Sequence, residues 1–533
     1  MGAQPAVSPA DATPTDAKPG AVRHTKIAII GTGFSGLGMA IRLKQQGDND
    51  FLLFEKEAGV GGTWRVNNYP GCGCDVQSHL YSFSFEQNPE WTRMFARQPE
   101  IKSYLEGCWS KYRLQHNTLL ETEVAGMRWD DQSELWRIHD RAGNHYTAQF
   151  VVSGMGALST PSIPNINGVE NFAGKLFHSQ QWDHDYDLTG KRVAVIGTGA
   201  SAIQFVPRIQ KQVGQLDLYQ RTAPWIMPKP DRAISEKERE RFKRFPLAQK
   251  VWRGLIYGVL ESRVIGFALL PRIMKLAQWV GKAFINKQIK DPVLRAKVTP
   301  NYTMGCKRVL ISNDYFPALT QPNVDVITDG IQEIRANSIV TTDGQERPID
   351  AIIFGTGFTP SDPMPRGVIF GREGVDLLDT WPEGPQAYKG TLTAGFPNLF
   401  FLMGPNTGLG HNSMVYMIES QIQYVLGALK LLDKQNLQSL EVKRDVQDRF
   451  NAKIQGQLGK TVWNAGGCMS WYLHPVSGRN CTVWPGFTWR FRLLTRNFDP
   501  AAYHFNRAQP AHPAQGYLAN AAPTVTQQSE VTA

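Results

Sequence analysis

One pattern occurs twice in this chain of 533 residues, and it restricts the fold more than any other feature. The apolar run Lys26, Ile27, Ala28, Ile29, Ile30 leads into Gly31, Thr32, Gly33, Phe34, Ser35, Gly36, and a helical pattern then continues to about Gln46. The run Arg192 to Ile196 leads likewise into Gly197, Thr198, Gly199, Ala200, Ser201, Ala202 and a helical pattern through Ile209. A buried strand, a glycine turn and a helix start form the unit that binds a dinucleotide pyrophosphate. The first glycine makes the turn, the second admits the phosphates, and the third (or Ala) lets helix and strand pack closely. The helix N-terminus then faces the negative charge. The chain is therefore expected to be α/β, with two Rossmann-like dinucleotide-binding domains.

The next strand of each copy distinguishes the ligands. Glu55 ends the run 51–54 and stands 24 residues after Gly31; Arg221 ends the run 216–220 and stands 24 after Gly197. A carboxylate there accepts from both ribose hydroxyls, which suits FAD or NAD. An arginine there meets a 2′-phosphate, which suits NADP. Two different dinucleotides on one chain imply electron transfer between them. Two further strand-then-glycine stretches, 150–156 and 351–357, bracket the second motif, so the NADP domain is expected to be inserted into the FAD domain. The expected divisions are a disordered tail at 1–24, the first part of the FAD domain at 25–160, and the NADP domain at 161–349. That domain carries a helical lobe at 231–300; the rest of the FAD domain is expected at 350–507 and a loose tail at 508–533.

Composition excludes several classes. The net charge of +10 is modest for this length and is explained by anionic cofactors, so nucleic acid is not expected as a partner. The longest apolar stretch, 254–270, is interrupted by Glu261, Ser262 and Arg263, which argues against stable membrane insertion. It reads as a buried or surface-facing helix. Residues 1–24 read as a tail rather than a signal peptide, and Ala6 stands where myristoylation needs Ser or Thr. Of the six cysteines only Cys72 and Cys74 are close, at a spacing that suits neither a CxxC redox pair nor zinc. Free thiols in a reducing cytoplasm, and no metal, are expected.

The stretch from Phe172 through Gly174 and His178 to Trp182 and Asp183 resembles the fingerprint of Baeyer–Villiger monooxygenases, and it lies between the two glycine motifs as in that family. The resemblance covers about 25–497. It implies a flavoprotein that uses NADPH, FAD and dioxygen to insert an oxygen atom beside a ketone carbonyl through a C4a-peroxyflavin, giving an ester or lactone. Gly62, Thr63 and Trp64 resemble the family's second flavin-contact loop, and Asp75, Tyr81 and Val124 are carried over with them. The segments 396–400 and 404–407 resemble the returning part of the FAD domain. Read alone, Asp75 is a turn residue and Lys307–Arg308 a basic pair on a loop. The resemblance makes Arg308 the catalytic arginine, Asp75 its orienting partner, and Lys307 a neighbour of Arg221 and Thr222 around the 2′-phosphate. His178 is kept out of the catalytic set. Asn313, Asp314, Tyr315 and Phe316 depart from the family's paired tyrosine, which implies a different substrate wall. Residues 463–484, with Trp471, Tyr472 and Trp484, resemble a loop that covers the site and suit a small apolar ketone.

The alternatives are a flavin monooxygenase acting on nitrogen or sulfur and a non-enzymatic NADP-binding sensor; Trp182 and Arg308 speak against the first, Asp75 with Arg308 against the second. Oligomeric state and the ketone's identity are not legible in the sequence.

Overall fold

The computed structural model describes residues 22–156, 158, 160–358, 366–468 and 470–507. The expected tails lie almost wholly outside them. Strand β1 (Arg23–Ile30) begins earlier than expected, because residues 23–25 pair with 146–148 of a neighbouring strand and so extend the sheet.

The first sheet is built on β1, β2 (Phe51–Phe54), β3 (Thr118–Leu119), β4 (Val124–Asp130), β5 (Leu135–Asp140) and β6 (His145–Ser153). Its core runs β6-β1-β2-β3 in parallel, and β4 and β5 extend it antiparallel beyond β6. Strand β1 is apolar on both faces, as a parallel central strand must be. Ile27 and Ile29 pack into the core that includes the Phe34–Gln45 helix, while Ala28 and Ile30 meet Leu52, Phe54 and Trp136 on the other face.

The second sheet contains β7 (Lys175–His178), β8 (Arg192–Ile196) and β9 (Gln215–Tyr219). The short pair β10 (Ile226–Met227) and β11 (Leu310–Ile311) lies outside it, and β12 (Val324–Ile327) rejoins it. After an antiparallel trio, β13 (Ile331–Arg335), β14 (Ser338–Thr341) and β15 (Glu346–Pro348), comes β16 (Ala351–Phe354). The sheet order is β12-β9-β8-β16-β7, all parallel. The chain then returns to the first sheet, with β17 (Ile369–Phe370) beside β4 and β18 (Leu399–Phe401) beside β6. The fold is two Rossmann-type units, one inserted in the other.

One boundary needs correction. The run 351–354 was expected to reopen the first unit, yet Ala351 aligns with Val193 and Ile353 with Val195 inside the second sheet. An apolar parallel strand carries no mark of which sheet it joins; register with neighbours decides. The helical lobe comprises Glu236–Arg244, Pro246–Ser262, Met274–Gln288 and Pro292–Val298.

At the first glycine turn, a Cβ built on Gly36 would lie 1.9 Å from the Gly31 carbonyl oxygen, a contact with backbone that cannot yield. Gly36→Ala should therefore cost at least about 2 kcal/mol, at the upper end of overpacking, and strip the protein of flavin. Urea unfolding and the flavin-to-protein ratio check this; a variant with parental midpoint and full flavin would contradict the close packing described.

Candidate active site

The first glycine turn is followed by the Phe34–Gln45 helix, whose N-cap is Gly33 and whose first turn has no side-chain cap. Its leading N–H groups are thus available to an anion. Ser35 and Gly36 lie buried in that first turn. Glu55 is buried just beyond β2; one carboxylate oxygen accepts from the Thr32 N–H (3.0 Å) and hydroxyl, the other from the Glu57 N–H at 3.0 Å. A carboxylate has about four acceptor positions, so ribose hydroxyls can still be bound.

Gly62 is the N-cap of the short helix Thr63–Val66, and a Cβ on it would strike Gly33 Cα at 2.8 Å. The second loop therefore lies directly against the glycine turn. Trp64 Nε1 donates to the Tyr81 hydroxyl (3.1 Å), and Tyr81 packs edge-on against Phe34 with ring centroids 5.0 Å apart. Val124 opens β4, half-buried beside the second face of the sheet. These residues form a narrow cradle closed to larger side chains, which fits a dinucleotide flavin.

At the second turn Thr198 donates to the Thr222 carbonyl (3.2 Å), tying Gly197–Ser201 to the loop after β9. Ser201 caps the Ala202–Ile209 helix without a side-chain hydrogen bond, and Gly199 and Ala200 are exposed at its mouth. Arg221 is exposed nearby. Burial, then the charge of Arg221, pushes the Lys307 ammonium below its usual range. Among the described residues neither cation is paired with a carboxylate. Two unneutralised cations of like sign, held close, fit a phosphate.

The structure brings together Asp75, from the loop after Thr63–Val66, and Arg308, from the segment leading into β11. Nε donates to Oδ2 at 3.0 Å, and Nη2 donates to Oδ1 and Oδ2, both at 2.7 Å. Nη1 has no hydrogen-bond partner among the described residues, so one edge of the guanidinium stays open. Burial alone would raise the Asp75 carboxyl, but the charge and hydrogen bonds of Arg308, with Lys229, outweigh it and hold it below its usual range. Asp75 in turn overcomes burial to hold Arg308 above its own. Neither partner exchanges a proton near neutrality.

Four residues around this pair escaped the sequence reading of the site or received no role in it. Gln204, on the Ala202–Ile209 helix, donates to the Gly73 carbonyl at 2.9 Å and accepts from the Gly73 N–H at 3.2 Å and the Tyr69 hydroxyl at 3.1 Å. It fixes the backbone two residues before Asp75. Lys229 feels the Asp75 charge and is pushed down by burial and then by Arg97; its backbone is held by Asn313, which accepts from its N–H and donates to its carbonyl. Arg263, in the lobe, also feels Asp75. Tyr472 is buried beside Arg308, its phenol pushed up to about 12 by burial. A proline-flanked Lys229 just after β10 was a signal; Gln204 had none beyond its place in a helix.

The fingerprint motif packs within and beside the second sheet. His178 ends β7, and its Nδ1 accepts from the Gln180 N–H at 3.1 Å. Trp182 packs on Phe177 and on Phe205, beside Gln204 on the same helix. Tyr315 and Phe316 are buried in the core at the start of Tyr315–Leu319 rather than forming an open wall.

The expectation of six free thiols fails. Cys306, two residues before Arg308, is disulfide-bonded to Cys468, with Cα atoms 6.1 Å apart. The partners are 162 residues apart, so spacing gave no hint; folding lays Gly466 and Cys468 against Cys306. The loop bearing Tyr472 is thereby tied to the segment bearing Arg308. Cys72, Cys74, Cys108 and Cys481 are free and buried.

A family model for flavin-binding monooxygenase-like proteins matches residues 24–369. A Baeyer–Villiger monooxygenase of Pseudomonas aeruginosa is 71% identical over 490 residues, 92% of this chain and 93% of that one. The chain belongs to the Baeyer–Villiger monooxygenases. Another, from Streptomyces coelicolor, is 48% identical over 92% of this chain and 94% of its own. Among solved structures, an oxidized steroid monooxygenase bound to NADP superposes with a TM-score of 0.80 at 27% identity, over 91% of this chain and all of that one. A closed cyclohexanone monooxygenase gives 0.80 at 25%, over 92% of this chain and all of its own. This Baeyer–Villiger monooxygenase is thus matched along both of its Rossmann-type units.

Two outcomes follow from the geometry. Gln204→Ala removes contacts worth about 1 kcal/mol each; product formed per NADPH consumed should fall several-fold with flavin content unchanged, and unchanged coupling would show that Gly73 needs no such support. For Asp75, a carboxyl lowered in the folded state contributes stability above its unfolded value of about 4 and loses it as pH falls through the folded value. The stability difference between the parent and Asp75→Ala should therefore be flat from pH 5 to 9 and shrink only in more acid solution. Urea titrations at several pH values check this; a step near neutrality would contradict the ionised pair.

Proposed function

We propose that Arg308 is the catalytic residue with which this Baeyer–Villiger monooxygenase oxygenates small apolar ketones, and that Asp75 orients it. The enzyme consumes NADPH and dioxygen with FAD as cofactor, placing one oxygen atom beside a ketone carbonyl to give an ester or lactone. The observation that supports the assignment is the half-engaged guanidinium: Nε and Nη2 are fixed by Asp75, and Nη1 is free. A permanently charged, planar group held this way can meet negative charge developing on oxygen without giving up a proton.

Gly31, Gly33, Phe34, Ser35 and Gly36 would hold the FAD pyrophosphate, Glu55 its ribose, and Gly62, Thr63, Trp64 and Tyr81 the ring side, with Val124 at the sheet edge. Gly197–Ser201 would hold the NADPH pyrophosphate, and Arg221, Thr222 and Lys307 its 2′-phosphate. FAD, when bound, accepts the hydride and supplies the oxygen chemistry. Arg308 stabilises the negative oxygen of the ketone as it is attacked. Tyr472 and the loop around it exclude water from that place, and the tie to Cys306 keeps the loop near. The names of the cyclohexanone and steroid monooxygenases suit a ketone substrate of apolar character. The cytoplasm, where NADPH is supplied, is the proposed compartment; among the described residues no single helix is long and apolar enough to cross a membrane.

Arg308→Ala should lower ester formation by at least about 100- to 1000-fold, the cost of one lost transition-state donor, while NADPH still reduces the flavin and hydrogen peroxide accumulates in air. Stopped-flow absorbance with product mass measures both, and near-parental ester formation would remove Arg308 from catalysis. Arg221→Ala loses a charge-assisted contact of about 1.5–3 kcal/mol, so the NADPH Michaelis constant should rise roughly 10- to 150-fold with little change for NADH. Equal use of both coenzymes by the parent would contradict the 2′-phosphate site.

A further inference from the structure

The helical lobe turns apolar side chains outward. On Pro246–Ser262, Leu247, Val251, Leu255 and Val259 are 72%, 57%, 57% and 64% exposed, a stripe with a period of four along one side of the helix. The rest of that exposed side is Gly254, Gly258 and Ser262, with Lys250 at its margin. The stripe continues through exposed Leu269 and Leu270 at the bend, then Leu276 and Trp279 on Met274–Gln288, Trp279 being 68% exposed. Trp489 and Leu493 add to it from the Thr488–Thr495 helix, whose Thr488 shares a hydrogen bond with Tyr257. Of the 21 large apolar side chains exposed among the described residues, 12 fall within 245–280. Soluble surfaces rarely gather such side chains in one place.

The charges beside the stripe have one sign. Every exposed charged residue from 245 to 290 is Lys or Arg, including Lys250, Arg272, Lys275, Lys282 and Lys287. The only carboxylate in that span, Glu261, is buried and accepts from Thr488 and Asn412. The two long helices meet at 107°, so the pair is bent too sharply to cross a bilayer as one rod. An apolar face with basic margins and an edge tryptophan is the composition of helices that lie in a bilayer interface. A symmetric dimer through this face would set its basic margins against each other.

The geometry points to a peripheral docking site for an anionic phospholipid surface, made by the outward faces of Pro246–Ser262 and Met274–Gln288. The site stands independently of the proposed oxygenation. If that reading holds, the position has a use. Phe267, two residues before Leu269, packs on Trp463 and against Gly305, three residues before Arg308. A ketone dissolved in the bilayer would reach the enzyme near its reactive end.

The test is flotation of the full-length, FAD-loaded protein with vesicles of phosphatidylcholine containing 30% phosphatidylserine, roughly the anionic character of a cytoplasmic leaflet. The parent should float with these vesicles, bind pure phosphatidylcholine at least tenfold more weakly, and be released by high salt. Leu255→Glu with Val259→Glu should lower binding at least tenfold, and so should Lys275→Glu with Lys282→Glu, which leaves the apolar stripe intact. Bound flavin and NADPH oxidation with a water-soluble ketone should stay parental in both, which separates a docking defect from misfolding and from failure of the oxygenation reading. Failure of the parent to float overturns the proposal, as does binding of either variant at parental strength. It is also overturned if light scattering shows a parental dimer that Leu255→Glu with Val259→Glu splits, or if only a chain ending at 507 floats; the face would then be covered by a second copy or by the tail.

Discussion

The ion pair of Arg308 with Asp75 links the two dinucleotide-binding units through the residues of the proposed centre. One partner comes from the loop after Thr63–Val66, the other from the segment leading into β11, 233 residues later. Three hydrogen bonds fix the guanidinium plane, and the open Nη1 edge remains for chemistry. A buried charge pair of this kind adds little net stability over an apolar substitute, because desolvation consumes much of the attraction. Its retention here is better explained by orientation and permanent charge. Gln204 extends the same logic from the second unit, accepting from the Gly73 N–H and donating to the Gly73 carbonyl.

The supporting shell links distant parts of the sequence. Trp182 of the fingerprint packs on Phe205, next to Gln204, so that motif reaches Asp75 through one helix rather than through a catalytic histidine. Cys306 and Cys468 tie the chain four residues before Tyr472 to the arginine's own segment. Arg263 of the lobe feels the Asp75 charge, while Leu255 and Val259 of the same lobe face outward.

What could be read from the sequence was what local chemistry dictates. Two glycine turns between strand and helix required two Rossmann-type units, and Glu55 and Arg221 at equal offsets distinguished them. Asp75 and Arg308 became readable only through a family resemblance, since neither local sequence distinguishes a turn aspartate or a loop arginine from a reactive one. Features created by tertiary register were not legible. Ala351–Phe354 looks like any buried strand, and only pairing with β8 assigns it to the second sheet. Cys306 and Cys468 meet because Gly466 folds against Thr303 and Cys306. The stripe from Leu247 to Val259 resembles a core-facing helix until its other face, with Ile256 and Leu260, is seen to occupy the core.

The central claim is that Arg308 and Asp75 act as one unit in oxygen transfer. A double-mutant cycle with Asp75→Asn, Arg308→Lys and the two combined, read as kcat/KM for ester formation, tests it most directly. Coupling of at least about 1 kcal/mol is expected, because either change alone already releases the fork. Effects that add within about 0.5 kcal/mol, the behaviour of independent sites, would contradict the account.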